Sequence, residues 1–296
     1  MQIITLTTDF GLQDYYVAAT KGAILNQIPS ANIIDISHSI KPFNVAEAVF
    51  QLKCCYHTFP AGTIHIIGVD SEPVFSETNP SFPMVMLFKD QYFISNDNGF
   101  FGTFLEDDVP EKLYKLEKPT AIEDYHKFPT KNTFIPLAAM VSNKIDLSEI
   151  CVESFTYKKA FIQKPTIEHN RMLGNVVHID AYGNIITNIS KKDFDRFGPN
   201  TPFTIFYVNK TYFIDTISKT YNDVAMGEKV AIFNSSDLLE IAINKGANGS
   251  TGGANNLFGV RVGNVITIEF HPPGSAKDIH SQIPAFLSSW LKPKEF

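Results

Sequence analysis

The chain has 296 residues, enough for one large domain or two of ordinary size, and 44% of them are hydrophobic. The formal net charge of −6 excludes the strongly basic surface that binding to nucleic acid or to an anionic membrane requires. Arginine occurs only at Arg171, Arg196 and Arg261. The first 170 residues therefore lack the side chain that most often clamps phosphorylated substrates.

Cysteine and histidine usage predicts neither a disulfide framework nor a metal site. Cys54 and Cys55 are adjacent, Cys151 stands alone, and there is no CxxC motif. The eight histidines form no HxH or HxxxH pair. No apolar run is long enough to span a bilayer, and the chain opens directly with a strand-like stretch. We expect a cytoplasmic protein that has no cofactor and binds neither membrane nor nucleic acid.

Residues 1–165 alternate strand-like and helix-like stretches, which predicts an α/β domain with a mostly parallel sheet. Apolar Ile3–Ile4 starts a first strand, and the stretch Tyr16–Leu25 has helical character. Residues 64–70 form a continuous apolar run that ends in an acid, the pattern of a buried parallel strand. Further predicted elements are a helix from Val45, a hairpin around Lys89–Asp90 and a helix from Phe134.

Acidic residues follow several of these predicted strands. Asp9 and Asp14 follow the first strand, Asp70 ends the buried strand, and Asp97 with Asn98 lies in the turn after the hairpin. Ligands of open α/β sheets bind beyond the carboxyl ends of the strands. The acids therefore favour a ligand that carries hydroxyls or positive charge. The alternative is that Asp9 caps the following helix and Asp14 lies in its first turn.

The secondary-structure pattern of the sequence changes after a predicted linker at residues 163–170. Short strand-like stretches joined by Gly, Asn and Asp turns predict a mostly β domain over 170–296, with a short amphipathic segment near Trp290. The turn at Asp180–Asn184 is an ordinary hairpin signal by itself. The predicted strands are 175–180, 184–189, 203–208, 212–217, 229–233, 239–243 and 265–270.

The order of several motifs resembles that of one known family. Thr8-Asp9-Phe10-Gly11, with Asp14 and Tyr16-Val17-Ala18 after it, resembles the opening of the S-adenosylmethionine hydroxide adenosyltransferases. These are relatives of the enzymes that fluorinate or chlorinate S-adenosylmethionine. The resemblance runs from about residue 3 to about residue 270. Further matching stretches are Ile36-Ser37-His38, Phe59-Pro60-Ala61-Gly62-Thr63, Asp97-Asn98-Gly99, Asp180-Ala181-Tyr182-Gly183-Asn184 and Leu239-Glu240-Ile241-Ala242.

This resemblance implies an α/β domain, a β-barrel-like C-terminal domain and a homotrimer. An adenosyl ligand would lie between the N-terminal domain of one subunit and the C-terminal domain of the next. The resemblance also assigns parts of the ligand to residues of this chain. They are Asp9 for the ribose hydroxyls, Asp180 and Asn184 for the methionine end, Ser235 for its carboxylate, the backbone around Asn244 for adenine, and Phe43 as a packing surface.

The implied reaction is attack of water or hydroxide on the ribose C5′ of S-adenosylmethionine, with methionine as leaving group. Asp70 matches the catalytic acid of the family. An Arg and a His that complete the family's proposed triad are absent: their positions fall on Glu77 and Pro129. His126 and Glu77 are candidate substitutes, although a loop His is more often merely solvated.

The sequence is also compatible with three other functions. A homologue of the same fold that binds an adenosyl ligand without cleaving it would keep Asp9, Asp180 and Asn184. A nucleoside N-ribohydrolase would use an acidic calcium loop after the first strand, but the paired acids of that loop are incomplete here. Halogenation is a variant of the leading hypothesis, and Asp70 would place a carboxylate where the halide must bind.

Overall fold

The computed structural model describes residues 1–74, 76, 78–117, 124–125, 127–159, 163–198 and 201–271. The chain divides into two compact units, Met1–Ile162 and Gln163–Phe296. We call them the N-terminal unit and the C-terminal unit. The amphipathic segment predicted near Trp290 lies outside the described residues. Among the described residues, no helix has both the length and the apolar character needed to cross a membrane.

The N-terminal unit is built on one seven-stranded sheet in the order β2-β1-β3-β5-β4-β6-β7. The first four strands of that order pair in parallel, and the remaining pairs are antiparallel. This confirms the predicted α/β class with a mostly parallel sheet. The strands are β1 (Gln2–Thr8), β2 (Ala31–Ser37), β3 (Ile64–Gly68), β4 (Pro83–Phe88), β5 (Gln91–Asn96), β6 (Lys112–Lys115) and β7 (Val152–Glu153).

Apolar side chains from both faces of this sheet are covered by helices, so the central strand β3 is buried throughout. That burial explains the continuous apolar run in its sequence. A π-helical turn, Thr130–Phe134, runs directly into α4. The helices are α1 (Tyr16–Gln27), α2 (Val45–Lys53), α3 (Phe100–Leu105) and α4 (Ile135–Ser142).

The C-terminal unit is an all-antiparallel, nearly closed barrel with the strand order β12-β11-β15-β9-β10-β14-β13, and β8 pairs with β9. It confirms the barrel-like fold that the resemblance implied. The strands are β8 (Thr166–Ile167), β9 (Arg171–Ile179), β10 (Ile185–Ser190), β11 (Phe203–Phe206), β12 (Phe213–Ile214), β13 (Lys229–Phe233), β14 (Leu238–Ile243) and β15 (Val265–Phe270). Two short helices, α5 (Lys191–Phe194) and α6 (Ala254–Phe258), complete it.

The chain between β12 and β13 covers the outer face of β13 and β14. Val224 packs on Val230, Ile232 and Ala242, which point away from the main barrel core. The Asn244 side chain donates to the Val224 carbonyl at 2.8 Å and holds this covering segment in place. Both faces of β14 are therefore buried, which explains its nearly unbroken apolar sequence.

Candidate active site

Asp9 lies in the loop after β1, and its carboxylate organises the neighbouring loop after β2. Asp9 Oδ2 accepts a hydrogen bond from the Phe43 backbone N–H at 2.9 Å, and the Gly11 N–H donates to the His38 carbonyl at 2.7 Å. Helix α1 begins only at Tyr16, has no side-chain cap and has no acid in its first turn. The alternative that Asp9 caps this helix is therefore wrong.

A chain of polar side chains that the sequence pattern does not predict supports the base of the Asp9 loop. His38 is buried, and its Nδ1 lies 2.7 Å from the Thr8 hydroxyl, next to Asp9. His38 Nε2 lies 3.1 Å from Asp35 Oδ1, and Lys21 Nζ lies 2.6 Å from Asp35 Oδ2. Burial raises the pKa of Asp35, but hydrogen bonds from Lys21 and His38 outweigh it and the net shift is downward.

Asp70 lies just after β3. Strand β3 lies beside β1 in parallel, with Thr8 paired to Gly68. The Asp70 backbone is left-handed, with φ of 47°. The Asn98 amide donates to the Asp70 carbonyl at 2.9 Å and to the Val69 carbonyl at 3.1 Å, which fixes this conformation. Burial, with the nearby charges of Asp9 and Glu72, raises the pKa of the Asp70 carboxyl. A carboxylate of raised pKa is a better proton acceptor.

Hydroxyl groups lie directly beside Asp70. The Thr130 hydroxyl donates to the Ser71 hydroxyl at 3.0 Å. A Cβ at Gly68 would lie 2.7 Å from the Thr130 side chain, so glycine is required for the π-helical turn to come this close. The sequence pattern does not predict this pair, because the two hydroxyls are separated by 59 residues. Pro129, which the resemblance places at the position of a family His, is buried next to Thr130.

Asp97 follows β5, which pairs with β3, and so belongs to the same edge of the sheet. Its Oδ1 accepts a hydrogen bond from the Lys158 backbone N–H at 2.9 Å. Burial raises the pKa of Asp97, while the hydrogen bond and charge of Lys158 act in the opposite direction. Gly99 has φ of 102°, the positive value for which Asn98-Gly99 is suited.

The remaining predicted residues of the N-terminal unit are more exposed. Asp14 is exposed and precedes α1. Phe43 is 74% exposed with φ of 63°, so its ring is available for packing. Next to Asp9, the ring of Phe10 contacts those of Tyr16 and Phe128 at centroid distances of 5.9 and 5.4 Å. His126 and Glu77 lie outside the described residues.

In the C-terminal unit the Asp180 carboxylate closes its own turn. Asp180 Oδ1 accepts from the backbone N–H groups of Tyr182 at 2.9 Å and Asn184 at 2.8 Å. Its Oδ2 accepts from the Asn184 side-chain amide at 3.0 Å. Asp180 and Asn184 are therefore in direct contact. These bonds also fit the ordinary turn interpretation, and ligand binding by this pair stays a prediction.

Two further predicted residues frame strand β14. Ser235 is exposed in the turn between β13 and β14, and Asn244 is buried at the end of β14. Glu240 lies between them on β14 and is only 3% exposed. The sequence pattern does not predict that this carboxylate is buried. Glu240 accepts hydrogen bonds from the Tyr221 hydroxyl at 2.5 Å and the Asn234 amide at 3.1 Å. Its location on the covered outer face explains how a carboxylate is buried there.

The described residues define a two-unit protein whose α/β unit gathers carboxylates, hydroxyls and an amide beyond the strand ends. Such a site suits a ligand with hydroxyls and a positive charge. Within the described ranges, His, Cys, Asp and Glu form no group of three able to hold a metal ion. Family models for the SAM (S-adenosylmethionine) hydroxide adenosyltransferase N-terminal and C-terminal domains match residues 4–151 and 174–267. The chain belongs to this family.

Similar proteins carry two different enzyme names. The chain is 30% identical to the (R)-S-adenosyl-L-methionine hydrolase of Methanocaldococcus jannaschii over 209 residues, 65% of this chain and 69% of the relative. It is 22% identical to a fluorinase of Nocardia brasiliensis, over 82% of this chain and 90% of the relative. Its fold is similar to the crystal structure of an uncharacterized conserved protein from Thermotoga maritima. That match has a TM-score of 0.78 and 29% identity, and it covers 90% of this chain and 99% of the other.

Proposed function

We propose that this protein hydrolyses S-adenosylmethionine to adenosine and methionine. The observation that carries the proposal is the meeting of Asp9, Asp70 and Asp97 at one sheet edge. Carboxylates attract a sulfonium cation and repel phosphate, in keeping with the N-terminal unit's lack of arginine. The hydrolase name of the Methanocaldococcus relative supports the same reaction.

In the proposed reaction, water attacks the ribose C5′. A C5′–O bond forms, the C5′–S bond breaks, and the sulfur keeps the electron pair as the neutral thioether of methionine. Asp70 accepts the proton that water loses, and Ser71 with Thr130 orients that water. Asp9 accepts from the ribose hydroxyls. Because the leaving sulfur needs no proton, the reaction requires no general acid, and we propose that no cofactor takes part.

The methionine end would be held by the C-terminal unit. Asp180 and Asn184 bind the amino-acid group, Ser235 faces its carboxylate, and the backbone at Asn244 contacts adenine. We propose a homotrimer in which the site combines the N-terminal unit of one subunit with the C-terminal unit of the next. Sedimentation equilibrium tests the assembly, and mixed trimers of Asp9→Asn and Asp180→Asn chains test the sharing. Each variant alone should be inactive. If a site takes its two units from different subunits, trimers that contain both variants should regain turnover, because some of their sites combine two intact units.

The decisive experiment is incubation of the purified protein with S-adenosylmethionine in H₂¹⁸O. We expect equimolar adenosine and methionine, with one ¹⁸O atom at the adenosine 5′ position. Asp70→Asn keeps the side-chain size and removes the carboxylate, so turnover should fall by about 10²-fold or more, the usual contribution of a general base. Absence of adenosine from the wild-type reaction would refute the proposal.

A second candidate is an adenosyl-binding protein that does not cleave its ligand. The residues at the family's Arg and His positions, Glu77 and Pro129, favour it. Calorimetric binding of S-adenosylmethionine without product formation would select this candidate. Adding chloride or fluoride to the assay tests halogenation: the halide would form the bond to C5′ as the C5′–S bond breaks, and a 5′-halo-5′-deoxyadenosine would appear with methionine. Calcium-dependent release of the free base from inosine would instead support the nucleoside N-ribohydrolase function.

A further inference from the structure

Lys158 lies against the acidic strand ends, although the family resemblance assigns it no role. It follows β7, the last strand of the N-terminal sheet. Its backbone N–H donates to Asp97 Oδ1 at 2.9 Å, so its main chain is tied to the turn that contains Asn98. Asn98 in turn donates to the carbonyls of Val69 and Asp70. Lys158 is therefore held beside the candidate base through two short hydrogen-bonded steps.

The charges around Asp70 are unbalanced without this lysine. The charge of Asp9, in the loop after β1, and that of Glu72, in Asp70's own loop, both raise the pKa of Asp70. Of the described residues whose charge acts on Asp70, Lys158 is the one that lowers its pKa. Lys158 and Lys115 both lower the pKa of Asp97. The Lys158 side chain is half-buried and forms no ion pair closer than 4 Å with any described residue. Within the part of the chain that the structure describes, no single carboxylate therefore neutralises its charge by direct contact.

We propose that Lys158 is a positioning residue that supplies the positive charge acting on the Asp70 carboxylate. The inference rests on the proposed function, because it concerns Asp70 as the base for the attacking water. Lys158 offsets part of the upward shift that burial, Asp9 and Glu72 impose on the pKa of Asp70, and so keeps this carboxyl ionised down to a lower pH. An ionised Asp70 can accept the water proton, whereas a protonated one cannot. A compact ammonium suffices here, because the role is electrostatic and needs no bidentate contact.

The first test is the pH profile of kcat/KM for S-adenosylmethionine. Lys158→Met removes the charge and keeps most of the stem, and its backbone bond to Asp97 survives any side-chain change. We expect the acid limb to move upward by about half a pH unit or more, as loss of a nearby opposite charge requires. Lys158→Arg should restore the wild-type limb. Lys159→Met is the matched control, since the exposed Lys159 is adjacent in sequence. An unmoved acid limb in Lys158→Met would overturn the proposal.

The second test does not need activity and so separates this inference from the proposed function. The protein is labelled with ¹³C at aspartate carboxyls, and the Asp70 resonance is assigned from its loss in Asp70→Asn. Titration of the ligand-free protein should show Asp70 releasing its proton at higher pH in Lys158→Met than in wild type or Lys159→Met. Identical titration curves would refute the role of Lys158 even if S-adenosylmethionine is cleaved. A shifted curve would support it even if the wild type shows no turnover.

Discussion

His65 is predicted to make the N-terminal unit sensitive to acid. Its ring is fully buried in β3 between β1 and β5, where Nδ1 lies 2.7 Å from the Thr5 hydroxyl. Its Nε2 lies 2.8 Å from Gln91 Oε1, while the Gln91 amide nitrogen donates to two backbone carbonyls. Nε2 therefore carries the ring proton and donates it to Gln91, while Nδ1 accepts a hydrogen bond from the Thr5 hydroxyl. This arrangement is that of a neutral imidazole. Burial lowers the pKa of His65 from 6.5 to about 4, against the opposing effect of its hydrogen bond to Gln91.

The size of the effect follows from linkage. Because the folded pKa is depressed, the stabilising contribution is complete above pH 6.5 and is lost as the pH falls towards 4. At pH 4 the unfolded histidine is almost fully protonated and the folded one half protonated. The unfolded state is then favoured by about 3 kcal/mol relative to pH 7. A loss of this size is a large share of the stability of an ordinary domain.

Urea unfolding followed by circular dichroism at several pH values measures this loss. His65→Gln removes the titrating group and retains polar atoms for Thr5 and Gln91, so it should be less stable at pH 7. Between pH 7 and pH 4, however, the wild type should lose about 3 kcal/mol more than the variant. Carboxylates titrate in both proteins and cancel in the difference. Parallel stability curves for the two proteins would refute the neutral, buried imidazole.

Three further predictions, one of them with a control variant, test separate parts of the molecule. Gly183→Ala, at φ of 87° and with an amide oxygen 2.5 Å from the new Cβ, should lower the unfolding free energy by about 2 kcal/mol or more. Gly227→Ala, at φ of 86° in open space, should show only the backbone part, and equal melting temperatures would contradict the clash. Tyr221→Phe should cost about 1.5–3 kcal/mol in urea unfolding because it removes a hydrogen bond to buried Glu240; an unchanged midpoint would argue against that bond. Asp9→Asn keeps an acceptor and loses the charge, so KM for S-adenosylmethionine should rise about tenfold, and an unchanged KM would exclude Asp9 from the site.

The strands were the most predictable part of the fold. The run 64–70 identified the buried central strand, and the predicted stretches 229–233 and 265–270 coincide with β13 and β15. Short helix α3 was missed, because Phe100–Leu105 has the apolar character of a strand and only Gly99 marks its start. Local pattern and turn chemistry are visible in sequence, whereas tertiary cover over a short segment is not.

The candidate site was predictable only where its residues follow strands. Asp9, Asp70 and Asp97 are marked by strand ends, and the parallel register then places them at one edge. Thr130 and Lys158 carry no such mark. They reach this edge through a π-helical turn and a loop after β7, and only the folded backbone shows that proximity. Glu240 was hidden for a different reason: an outward-facing position on β14 becomes buried only when residues between β12 and β13 cover it.

Phe43 and Asp70 both hold positive φ, where a side chain of L configuration costs about 1–2 kcal/mol relative to glycine. Glycine at either position would therefore raise the free energy of unfolding. A variant library selected purely for heat resistance is expected to accumulate glycine there. A library selected for turnover is expected to retain the aspartate. Sequencing the two pools would show which residue is retained for catalysis at the expense of thermal stability.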